Sequence, residues 1–244
     1  MAQTAVKVQE FVMVLATKGQ SPSVLNAEFL RYSSVVPEDW QLARKPVYTE
    51  QMIQIAYENG VVVTAQPSRI ILSELLQDKS VDDTFVPEIA QKLVTALPKL
   101  DYQAVGINPR GYLAVEAGQT AASQYVTNHL LAEGPWQHFG EAPVKASVNY
   151  VYQLAQGRLN LSVSEATLQL PEEKQLAVIL FSGNIDHALE SEEPSARAEE
   201  LSRIIGKWQD DVASYTTLIN SSFSIPEATV VVPDHAPVAE PALA

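Results

Sequence analysis

Every second residue from Val144 to Leu154 is apolar: Val144, Ala146, Val148, Tyr150, Tyr152 and Leu154, with mostly polar residues between them. A period of two is the signature of a β-strand with one face against a core. Leu159, Leu161 and Val163 answer the pattern across Gln156-Gly157. A chain built on such a hairpin must supply more strands of the same period, and something to cover their apolar face.

The rest of the chain offers both. Residues 6–16, VKVQEFVMVLA, read as an opening strand, and Ser21-Pro22 as the cap and first residue of a helix with Leu25 and Phe29 inward. A long connection carries Pro37, Trp40 and Pro46. Asn59-Gly60 is flanked by Ile53, Ile55, Tyr57 and by Val61, Val63, Ala65, which predicts a hairpin with a type I′ turn; Gln66-Pro67-Ser68 then leads into RIILSEL as the third strand of a meander. Pro87 opens a helix with Ile89, Leu93, Val94 and Leu97 on one face. DYQAVGINPRGYLAV reads as a second hairpin turning at Asn108-Pro109-Arg110-Gly111. Residues 119–132 predict a helix with Ala122, Tyr125, Val126 and His129 inward, and residues 176–181, LAVILF, a central strand buried on both faces. A last helix from about 195 to 219 carries the stripe Leu201, Ile204, Ile205, Trp208, Val212, Tyr215 and Ile219.

These elements predict an α+β domain over residues 1–224, with antiparallel sheets and helices packed on one side. Their order suggests two diverged split β-α-β units, with pseudo-halves 1–108 and 109–224. Residues 225–244, rich in Pro and Ala, read as a flexible tail.

Composition excludes several functions. The formal net charge of −13 leaves no basic cluster for phosphate, which argues against nucleic acid and anionic membrane surfaces. Residues 185–244 hold 11 acidic and 3 basic side chains, so −8 of the −13 lies there. No cysteine is present, which removes disulfides, thiolate nucleophiles and thiolate metal sites. The N-terminus reads as a strand, not a signal peptide, and no apolar run approaches the ~18 residues of a membrane span. A cytoplasmic protein without membrane insertion is expected.

Motifs for chemistry are sparse. His129, His138, His187 and His235 are scattered, and no metal or cofactor is implied. His129 reads as a core or boundary histidine, and Trp136 and Phe139 as plugs at a core edge. Ser182–His187 is expected as a polar loop after the buried strand. Asn184, Asp186 and His187 there are the one candidate polar site, although Asp186 and His187 would face opposite ways in an extended chain. No nucleophile elbow or phosphate loop accompanies them, so no catalytic residue is assigned. Glu199, Glu200, Asp210 and Asp211 on the last helix are the candidate partner-facing residues.

The stretches NAEFLRYSSVVPEDW, ARKPVYT, NGVVVTAQPSRIILSE and VGINPRGY resemble those of a family of uncharacterised cyanobacterial proteins. The resemblance implies a bacterial cytoplasmic origin and supplies no catalytic residues. Two functional expectations follow. The first is a non-catalytic binding or assembly protein whose acidic C-terminal region meets a basic protein partner, or which self-associates. The alternative is an enzyme or small-ligand binder with a pocket between the two sheet units.

Overall fold

The computed structural model describes residues 5–19, 22–115, 121–155, 157–169, 175–223 and 228–230. Alternating apolar residues form β1 (Glu10–Thr17), β2 (Val47–Tyr48), β3 (Ile53–Ala56), β4 (Val61–Gln66), β5 (Arg69–Leu75), β6 (Tyr102–Val115), β7 (Ser147–Gln153), β8 (Arg158–Gln169) and β9 (Gln175–Ala188). They make one continuous antiparallel sheet in the order β2-β3-β4-β5-β1-β6-β9-β8-β7. A short β10 (Ala228–Val230) pairs with the end of β6. The helices are α1 (Ala27–Tyr32), α2 (Val86–Ala96), α3 (Ala121–Tyr125), α4 (Pro194–Ile205) and α5 (Trp208–Ser222).

The α+β class and the antiparallel pairing agree with the sequence reading, but there is one sheet where several were expected. β1 and β6 lie side by side at its middle, flanked by β5 and β9. The repeated split β-α-β units are not confirmed by this order, and the 108/109 boundary falls inside β6.

One face of the sheet carries the core. Phe11, Met13, Leu72, Ile107, Phe181 and Ile185 pack in a single cluster with Ile89 and Leu93 of α2, Tyr125 of α3, Leu201 of α4 and Trp208 of α5. Trp208 meets Phe11 with ring centroids 5.1 Å apart. The Tyr215 hydroxyl of α5 donates to the Phe181 carbonyl at 2.7 Å, and its ring lies directly over Gly183, where a Cβ would come within 2.6 Å of it. Only glycine permits that approach. On the opposite face Tyr112, Ala114, Leu168 and Val178 form a smaller cluster.

The meander β3-β4-β5 forms as its alternation predicts, with Ile53, Ile55, Val61, Val63, Ile70 and Leu72 buried. Its first turn is not type I′. Gly60 N–H donates to the Tyr57 carbonyl at 3.1 Å, Tyr57 N–H to the Val61 carbonyl at 2.9 Å, and Gly60 alone in the loop has positive φ, +89°. That is a three-residue loop closed by a bulge with glycine in the left-handed region. β5 contributes Glu74, wholly buried, which accepts from the Lys79 ammonium (2.7 Å), the Thr84 hydroxyl (2.8 Å) and the Phe85 N–H (2.7 Å). It thereby satisfies an N–H at the start of α2 that Phe85 itself cannot cap.

Other departures have local causes. β6 runs straight through Asn108-Pro109-Arg110-Gly111 with no turn. The missing Pro109 N–H falls where pairing with β9 lapses, between Ile107↔Ile185 and Arg110↔Ser182, and the register is the same on both sides. The cap of α1 is Asn26, whose Oδ1 accepts the Phe29 N–H at 2.8 Å; the expected cap, Ser21, lies outside the described residues. The last helix is two, broken at Gly206-Lys207. Glycine disfavours the helix interior, and the Gln91 side chain of α2 takes the Ser202 carbonyl near the break at 2.5 Å. The strand expected over 176–181 continues to Ala188. Of the expected flexible tail, residues 228–230 are paired in β10, and 225–227 and 231–244 lie outside the described residues.

The N-terminal segment is tied to the last helix. Asn220 of α5 accepts the Val6 N–H at 2.8 Å and donates to the Val6 carbonyl at 3.1 Å. Among the described residues no helix is long and apolar enough to cross a membrane.

Candidate functional site

β9 splits the polar candidates between its two faces. Asn184 and Asp186 lie on the face opposite the helices, where amides from neighbouring strands meet at matching register. Asn184 Nδ2 donates to Asn108 Oδ1 at 2.6 Å, and Asn160 Nδ2 lies 3.3 Å from both Asn184 Oδ1 and Asp186 Oδ2. This is a row of amides stitching β6, β9 and β8 together, not the polar loop expected. Amides neither take nor release a proton, so of these four side chains only the Asp186 carboxylate carries acid–base chemistry, and its Oδ2 lies 4.0 Å from the Arg158 guanidinium.

His187 shares its parity with Ile179, Phe181 and Ile185 and points into the core face. Its Nε2 lies 2.8 Å from Oδ2 of Asp211 on α5, and both side chains are buried. The expectation that Asp211 is free to meet a partner is therefore corrected. Asp211 lies three residues after Trp208 and four before Tyr215, on the buried stripe itself, and His187 is the partner that burial demands. Parity on the strand and phase on the helix both carried this signal. The pair has the geometry of a base and its orienting carboxylate, yet neither residue lines the cleft described below, and it serves as a clamp between sheet and helix.

The other acidic candidates divide. Glu199 and Asp210 are exposed. Glu200 is turned inward along its own chain, accepting the N–H groups of Glu190 at 3.2 Å and Ser191 at 3.1 Å. Hydrogen bonding from Ser191 is the main cause that holds its carboxyl below the ordinary range; burial opposes it, and the Glu190 N–H and Arg203 add to the lowering.

A cleft of about 1330 Å³ opens on the helix side of the sheet, in the second half of the chain. It is not between two sheet units, since the sheet is single. α3 anchors one wall through Tyr125, which packs edge-on against Phe181 and whose hydroxyl is pushed up to about 12, chiefly by burial and then by Tyr150. From Val126 to Leu130 the helix widens into a π-helical turn, a feature frequent at functional sites. Ser123, Gln124, Thr127 and Asn128 face the cleft from this wall. The next loop is strapped to the turn by Gln137, which accepts the Gly134 N–H and donates to the Thr127 carbonyl, each at 3.1 Å. It brings Glu133 and His138 to the cleft, and Lys145 follows along the chain. Trp136 and Phe139 in this loop are exposed, Phe139 at 89%, where a core plug was expected. His129 is exposed as well, stacked on Tyr125.

The floor comes from the paired ends of β8 and β9: Glu165, Thr167, Gln175 and Ala177. Glu165 continues the buried parity of Leu159, Leu161 and Val163, so β8 carries it onto the core face as an acid where the pattern calls for an apolar residue. Its Oε1 lies 3.4 Å from Lys145 Nζ. Its Oε2 is buried and accepts no hydrogen bond from the described residues. Sequence reading passed over Glu165, although its place in the alternation was the available signal. Among the described residues no three His, Asp or Glu side chains gather as a metal site would require. No protein-family model matches this chain, and no curated protein matches it.

Proposed function

We propose that this protein binds a small polar molecule in the cleft between α3 and the β8–β9 hairpin. The observation that carries the reading is the cleft itself, about 1330 Å³ and lined by amides, hydroxyls, two carboxylates, a lysine and a histidine converging from three separate segments. A large concavity with a few convergent polar groups is where small ligands are bound. The Gln137 strap supports the reading because it holds the loop wall at a fixed distance from the π-helical turn. Docking through the acidic C-terminal region has less support, since two of the four candidate partner-facing carboxylates, Glu200 and Asp211, are committed to internal contacts.

The test is a thermal-shift screen with small polar compounds, repeated on Ala177→Trp, which fills the floor. Compounds that raise the Tm of the wild type are expected to lose that effect in the folded variant. Hits that act equally on both proteins would place binding elsewhere and overturn the reading.

A further inference from the structure

We infer that the ligand of this cleft is an organic cation, an ammonium or guanidinium group whose N–H donors reach Glu165; this rests on the cleft being the binding site. A carboxylate taken out of water needs donors for its oxygens, and an unmatched one is costly. Glu165 is only 17% exposed, and its Oε2 is fully buried with no donor among the described residues. Lys145, the cation that pairs with it among the described residues, has a side chain that is 78% exposed at 3.4 Å. An ion pair so open to water contributes little, and it engages only Oε1. A ligand N–H group at the floor would supply the missing donor.

The surroundings select for the same charge. Glu133 joins Glu165 in the cleft lining, beside Lys145 and His138, and the net charge of −13 raises the local concentration of cations around the whole molecule. A metal ion takes several oxygen ligands, and no such group is gathered among the described residues. The amides of Gln124 and Asn128 and the hydroxyl of Thr127 offer acceptors to further N–H groups without adding charge.

Four probes of matched length separate the possibilities: n-butylammonium, n-butylguanidinium, n-butanol and n-butyrate, titrated into the full chain and followed by calorimetry or chemical-shift change. The two cations are expected to bind, at least tenfold more weakly to Glu165→Gln and with unchanged affinity to Glu199→Gln, which removes the same charge from an exposed position. Lys145→Ala is expected to tighten cation binding several-fold by removing the competitor for Oε1. Equal weakening by Glu165→Gln and Glu199→Gln would reduce the effect to general attraction and overturn the inference. An unchanged affinity in Lys145→Ala would overturn it too, and this arm needs no substitution of the buried residue. Binding of butanol or butyrate that Ala177→Trp abolishes, without cation binding, would sink the cation and keep the cleft; binding by none of the four would sink the cation while the broader screen decides the cleft.

Discussion

Glu74 and Glu165 occupy comparable places in opposite halves of the sheet, each on the helix-facing side of its strand, and their surroundings differ in kind. Glu74 receives an ammonium, a hydroxyl and a backbone N–H, and both its oxygens are engaged. Among the described residues Glu165 has one solvent-exposed lysine, 3.4 Å from one oxygen, and no donor for the other. A buried carboxylate whose donors come from its own chain joins elements together. One whose donors are incomplete has capacity left for something from outside. By the same measure His187–Asp211 belongs with Glu74, since each residue there is the other's answer.

The largest expected effect treats both halves alike and so serves as the control. Burial pushes the phenols of Tyr57 and Tyr125 up to about 12 and those of Tyr102, Tyr112 and Tyr215 higher still, with Glu10 adding to the rise at Tyr112. With folded values above the unfolded value near 10, the stability these groups contribute is fully present below about pH 10. It is lost as pH climbs through the folded values. Tyr32 and Tyr48 are exposed and can ionise without loss of structure, but the tyrosinate absorbance of the five buried phenols should rise only together with the loss of circular dichroism; full tyrosinate absorbance in protein that keeps its native circular dichroism would contradict the burial.

Next come the carboxylates that join elements. Asp211→Lys buries an unpaired cation against His187 and should destabilise by about 3–5 kcal/mol, while the neighbouring Asp210→Lys should stay within ~0.5 kcal/mol. Equal urea midpoints for the two variants would show that Asp211 is not on the buried stripe. Glu74→Ala should cost roughly 3 kcal/mol, because it strands the Thr84 and Phe85 donors beneath α2. Gly60→Val, beside Glu74 on the facing strand, should cost about 1–3 kcal/mol: the residue must hold φ near +89°, and a Cβ would sit 3.2 Å from the Leu75 carbonyl. The smallest effect is the one that sharpens the contrast. Glu165→Gln should leave urea stability within ~1 kcal/mol of wild type or raise it, since it removes an incompletely matched charge. A loss as large as that of Glu74→Ala would mean that Glu165 is also a joining residue.

Local signals were legible in the sequence where one residue served one purpose. The meander, α2 and the β7–β8 hairpin follow from alternation and from the Gly, Pro and Asn beside it. Reading failed where tertiary contacts recruited the same residues for another end. Asn108-Pro109-Arg110-Gly111 has the composition of a turn, yet Pro109 sits in a lapse of the β9 ladder, and Gly111 lies so close to Val6 that a Cβ would come within 2.4 Å of it. Asn59 and Gly60 were read together as left-handed, and only Gly60 is. The cleft was the least legible part, because its lining comes from within residues 123–145 and from Glu165, Thr167, Gln175 and Ala177, which converge only in the folded sheet.

The bonds between Asn220 and Val6 set an order of events for a chain made from one end to the other. They span 214 positions, and closing a loop of that size carries an entropic cost on the order of 5 kcal/mol. Until α5 has been synthesised, the segment leading into β1 lacks its anchor. β1 must likewise wait for β6 before its second edge is paired. An unpaired edge of apolar strand is a template for association with other chains, so the interval between the emergence of β1 and that of β6 is when a nascent molecule is most exposed to aggregation. Ribosome-bound fragments ending before residue 102 should therefore need chaperone protection that fragments ending after residue 223 do not.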